Sequence, residues 1–94
     1  MTRAIIEILK GGEIKGKVEI GARLGSDLPC EADFNYRPTS NSTVTLRVQH
    51  GLFNGSQVDL FYPRDRRDIG VVKRGKQKTF HLRGGYVARC VHER

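Results

Sequence analysis

The proton-moving side chains of this 94-residue chain are few: His50, His81 and His92, with Tyr86 and several arginines beside them in sequence or strand phase. That set is the inventory of a small ribonuclease, in which one group takes the 2′-hydroxyl proton and cations steady the phosphorane. No spacing brings a second histidine to the face of His81, so no catalytic residue is assigned and a non-enzymatic protein is expected. The chain lacks a P-loop, a GxGxxG and an HExxH. Cys30 and Cys90 lack the CxxC or Cys/His spacing of a zinc site, so neither metal nor cofactor is expected. They read as two reduced thiols, with one Cys30–Cys90 bridge as the alternative.

A second kind of chemistry is more concentrated. Residues 64–85, RDRRDIGVVKRGKQKTFHLRGG, hold eight Lys/Arg against two Asp, a net +6 out of +7 for the whole chain. Crowded like charges repel, whereas a focused patch attracts phosphates and gains from counterion release. The pattern therefore points to a nucleic acid, RNA or DNA, gripped at its phosphates by Arg64, Arg66, Arg67, Lys73, Arg74, Lys76, Lys78 and Arg83. Asp65 and Asp68, set among those arginines, most simply screen them. The structural alternative is that Lys and Arg sit on edge strands and hairpin tips to discourage aggregation.

The elements that must carry these residues are strands. Period-two alternation recurs along the chain, and no window sustains helical apolar spacing. IKGKVEI puts Ile14, Val18 and Ile20 on one side; CEADFNY does the same with Cys30, Ala32, Phe34 and Tyr36. TVTLRVQ and QVDLFY turn Val44, Leu46 and Val48, then Val58, Leu60 and Tyr62, inward. The opening strand, residues 3–10, is apolar on both sides and is expected to be central and covered on each face.

Gly11-Gly12 reads as a two-residue hairpin that sets Lys10 opposite Glu13. Gly84-Gly85 reads as another, which would place Arg83 opposite Tyr86 and His81 opposite Ala88. In that register Arg83, His81 and Tyr86 share one face, a platform for stacking a base and bonding a phosphate, while Phe80, Leu82, Val87 and Val91 share the core face. Phe61, out of phase with Leu60, and Phe53 are further stacking candidates, or else a small satellite core. The triplets Asn41-Ser42-Thr43 and Asn54-Gly55-Ser56 match a glycosylation pattern but read as turns.

These segments predict one all-β domain over residues 1–94, a small antiparallel barrel or compact sandwich of about seven to eight short strands. A chain of this length buries only about 60–65% of its unfolded surface, so completion of the core by a homodimer is compatible with the pattern. The start MTRAIIEILK is too short in its apolar run for a membrane span and lacks a cleavage site, so a cytoplasmic protein with no membrane contact is expected.

A Pro-led strand reaching a Tyr (Pro29, Tyr36), a Val-led strand (Val44), and a strand running into Arg64-Asp65 with Gly70 beyond it resemble the SsgA-like sporulation and cell-division proteins of actinomycetes. Leu60 stands where that family usually has Trp before the Arg-Asp, and the family's C-terminal helices have no counterpart. The resemblance implies a non-enzymatic adaptor or regulator, and hence the second expectation, a basic face that meets an acidic protein partner.

Overall fold

The computed structural model describes residues 3–22, 27–51 and 57–94. Alternation becomes strand wherever it was expected: β1 (Arg3–Lys10), β2 (Glu13–Gly21), β3 (Glu31–Thr39), β4 (Ser42–His50), β5 (Gln57–Tyr62), β6 (Arg67–Lys73), β7 (Gln77–His81) and β8 (Tyr86–His92). They form two four-stranded antiparallel sheets, ordered β2-β1-β8-β7 and β3-β4-β5-β6, so the fold is a β-sandwich. Neither thiol is bridged; Cys90 is buried and Cys30 half-buried.

Inward residues from both sheets make one core. Ala4, Ile6, Ile8, Ile20, Ala88 and Cys90 meet Leu46, Val48, Val58, Leu60 and Val72. Such side chains stabilise the fold by about 1.5–3 kcal/mol each when large and fully buried. Each lateral seam between the sheets closes in the same way. The ring of Phe34 on β3 lies over Gly16 of β2, where an added Cβ would stand 2.2 Å from it. On the other side Phe80 of β7 lies over Gly70 of β6, where a Cβ would stand 2.5 Å away.

Three expectations about orientation are corrected. β1 is central, between β2 and β8, but only its Ala4-Ile6-Ile8 face is fully buried. Ile5 and Leu9 lie half-exposed on the outer face, shielded by their cross-strand partners Val91 and Val87. Ile14 is 53% exposed, because a bulge at Ile8/Leu9 pairs it with Leu9 and turns it outward. The Gly11-Gly12 hairpin does form, with φ of 61° and 80° and Lys10 opposite Glu13. Glu13 nevertheless makes its ion pair with Lys15 at 3.5 Å.

The third correction decides the site. β7 and β8 are joined by the single 3-10 turn Arg83–Gly85, with Leu82 N–H donating to Tyr86 O, so His81 faces Val87 and Phe80 faces Ala88. That is one residue away from a two-residue Gly84-Gly85 hairpin, and one residue of slip turns every side chain of a strand over. Tyr86, Ala88, Cys90 and His92 therefore point inward, and Val87, Arg89 and Val91 outward. Gly84, at φ 74°, lies against Pro38, where a Cβ would come within 2.5 Å of the Pro38 Cα. The close approach and the positive φ both require glycine there.

Candidate nucleic-acid interface

The expected platform of Arg83, His81 and Tyr86 does not assemble. His81 is exposed on the outer face of β7. Tyr86 turns between the sheets, its ring 4.5 Å from that of Tyr36, with Lys10 Nζ over the ring at 5.1 Å. Arg83 lies over the Tyr62 ring at 4.3 Å and pairs with Asp65. Its backbone N–H donates to Tyr62 Oη, which also bonds Tyr36 Oη at 3.1 Å. Burial, and then the bond to Tyr62, push the Tyr36 phenol well above its ordinary range, so that hydroxyl stays protonated through physiological pH. Arg83 is thus a brace between the sheets, and Asp65 pairs with it rather than with the adjacent Arg64, Arg66 or Arg67 that it was expected to screen.

The basic segment divides between the two ends of the sandwich. Arg64 and Arg66 lie in the β5–β6 turn and Arg67 begins β6. Lys73 ends β6, Arg74 and Lys76 flank the turn into β7, and Lys78 follows on β7. Six residues of extended chain separate Arg67 from Lys73, about 20 Å. Arg64, Arg66, Arg67, Lys73, Lys76 and Lys78 are all exposed.

Ion pairing sets that segment apart. Six pairs form among the described residues: Arg3–Glu93, Lys15–Glu13, Lys17–Glu19, Arg47–Asp33, Arg83–Asp65 and Arg89–Glu7. Arg47 and Arg3, each bonding its carboxylate, hold Asp33 and Glu93 below the usual carboxylate range. Only the Arg83–Asp65 pair involves residues 64–85, and Arg74 is also engaged. The six exposed cations of that segment make no ion pair among the described residues.

Arg66 carries a further signal. Its φ is 55°, the left-handed region, where an L side chain costs roughly 1–2 kcal/mol and where glycine or asparagine is usual. An arginine kept there is a functional candidate. Arg64, in the same turn, lines a shallow cleft of about 260 Å³ with Asp33, Thr45, Arg47 and Pro63. Phe61 faces outward on β5 opposite Arg47 and lines a neighbouring cleft of about 370 Å³ with Gln49, Asp59, Asp68 and Val71. It is half-buried and outward, so of the aromatic candidates it keeps a face for stacking. Phe53 and Asn54 lie outside the described residues, while Asn41 does fall in the β3–β4 turn.

Sequence spacing did not reveal that His50 and His92 meet. Their Nε2 atoms are 3.1 Å apart, and the residues are 2% and 1% exposed. His50 continues the inward phase of Val44, Leu46 and Val48, which was legible. His92 is inward only in the observed β8 register, which was not. Among the described residues no group of three metal-ligating side chains forms, and no helix is long and apolar enough to cross a membrane. Comparison with protein-family models, curated proteins and solved structures finds no match to this chain.

Proposed function

We propose that this protein is a small non-enzymatic β-sandwich that binds nucleic acid through the exposed cations of residues 64–78. The observation that carries the reading is the contrast in pairing: Arg64, Arg66, Arg67, Lys73, Lys76 and Lys78 make no ion pair among the described residues, while Arg3, Lys15, Lys17, Arg47 and Arg89 elsewhere each hold a carboxylate. Unpaired cations crowded on one segment lower stability through repulsion and gain when a polyanion neutralises them. Arg66, held in a conformation that disfavours it, presents its guanidinium at the tip of the turn. In this reading the cations hold phosphates and Phe61 supplies a stacking surface beside Arg64.

Fluorescence anisotropy with labelled single-stranded and duplex oligonucleotides, at low and at physiological salt, tests it. The expected result is micromolar or tighter binding that persists at physiological salt and weakens in R64E/R66E/R67E with a flatter salt dependence. Absence of binding at physiological salt would reject the reading and turn the search to an acidic protein partner.

A further inference from the structure

The His50–His92 pair lies at the sandwich end opposite the tyrosines, and its hydrogen bonds fix its protons. His92 Nδ1 is 3.2 Å from Val72 O. A carbonyl only accepts, so Nδ1 carries the hydrogen and, in the neutral ring, Nε2 is a lone pair. His50 must then donate from Nε2 across the 3.1 Å contact, which leaves its own Nδ1 as an acceptor. That Nδ1 is buried without a hydrogen-bond partner. The Gly21 backbone favours the protonated form of the ring, as a carbonyl would. Two acceptors cannot bond, so the neutral pair keeps one polar atom unsatisfied.

A first proton, placed on His50 Nδ1, completes the bonding there but buries a charge. A second has only His92 Nε2 to occupy, and two N–H groups would then face each other where a hydrogen bond stood. Backbone carbonyls favour the charged rings, but the side chains around the pair offer no compensating negative charge. Arg74, from the β6–β7 turn, acts on both rings and opposes their charging. β1 places Ala4 opposite His92, and Cys30, just before β3, accepts the His50 backbone N–H. On β8, burial pushes the Cys90 thiol up to about 12, so it stays neutral. Glu93 is bound to Arg3. Burial first, and Arg74 with it, lowers both histidines from 6.5; the Val72 bond opposes this at His92.

His92 also fastens the turn beside it. Its N–H donates to Lys76 O at 2.9 Å, its carbonyl accepts from Gly75 N–H at 2.8 Å, and its ring bonds Val72 O. The turn over residues 73–76, which joins the two sheets, is thus held on both sides by one residue. We propose that His50 and His92 form a proton-operated latch, in which proton uptake separates the two rings and releases the 73–76 turn from the end of β8.

The sign follows from linkage. The closed state holds the rings less basic than the open one, so the open state binds more protons below pH 6.5, and stability of the latch present above that pH is lost as pH falls. With two rings taking part, the opening equilibrium gains up to about two decades per pH unit; with one ring, up to about one.

Amide hydrogen exchange on the intact chain, corrected for intrinsic rates, tests this without nucleic acid, so it stands or falls separately from the proposed function. As pH falls from 8 to 5, protection at Gly75 and His92 is expected to drop at least tenfold more than at Leu82 and Arg83. In His50→Gln the excess dependence should fall to one proton or fewer. Imidazole nitrogen spectra of the wild type at pH 8 should show His92 protonated at Nδ1 and His50 at Nε2. Equal loss of protection at both ends, or the reverse tautomers, would overturn the latch even if the variant does not fold.

Discussion

At one end of the sandwich two phenols meet between the sheets; at the other, two imidazoles do. Tyr36 and Tyr62 share a 3.1 Å bond beneath the turn that carries Arg64 and Arg66, and His50 and His92 share one beneath the turn that carries Arg74. Both pairs are buried and both hold a connection from β5–β8 in place. The tyrosine pair leaves no oxygen without a partner, because Tyr62 Oη also receives the Arg83 N–H. The histidine pair leaves one nitrogen orphaned. The same architectural task, joining two sheets at their open ends, is therefore done once by groups indifferent to neutral pH and once by groups that respond to acid.

The comparison can be broken most decisively through the cations. Reversing Arg64, Arg66 and Arg67 to Glu, and separately Lys73, Lys76 and Lys78, should each lower the slope of log affinity against log salt by up to about three if both ends touch the polyanion. A full effect from one set and none from the other would confine the contact to one end. Next in size, Gly70→Ala drives a Cβ into the Phe80 ring and should cost about 1–3 kcal/mol in chemical denaturation. Because that seam runs alongside both ends, exchange should quicken at Leu82 and at Gly75 alike; loss at one end alone would show that the ends are not held by a common spacing.

Tyr62→Phe removes an acceptor from the Arg83 N–H and a partner from Tyr36, at a cost of about 1–2 kcal/mol. That deficit should be the same at pH 8 and pH 5, and a deficit that grows in acid would erase the contrast between the ends. The smallest effect is a gain. Arg66→Gly relieves left-handed strain of roughly 1–2 kcal/mol and gives back about 0.4–1 kcal/mol to unfolded-chain entropy, a net stabilisation of about 0.5–1 kcal/mol. It should also weaken oligonucleotide binding; a destabilised variant with unchanged binding would mean that Arg66 is structural.

Much of this molecule was legible from residue order. Alternation placed Leu46, Val48, Val58, Leu60 and Tyr62 in the core and Val44 against it, since a strand's side chains have a fixed period of two. Gly11-Gly12 specified its hairpin because only glycine accepts both positive φ values cheaply. The local excess of cations was likewise plain. The faces of β8 were not, because Gly84-Gly85 is equally suited to a two-residue loop and to a turn that takes in Arg83.

Sequence by itself therefore determined the strands, the all-β class and the sign of the charge, since these rest on neighbours one or two residues apart. Tertiary structure alone decided which side of β8 looks inward, and so whether Tyr86 meets Tyr36 and His92 meets His50. It also decided that the basic run divides between opposite ends of the fold, because β6 carries the chain the length of the sheet between Arg67 and Lys73. Those outcomes depend on register and on contacts between distant parts of the chain, Tyr36 with Tyr62 at 26 residues, His50 with His92 at 42, and Pro38 against Gly84, which no local pattern encodes.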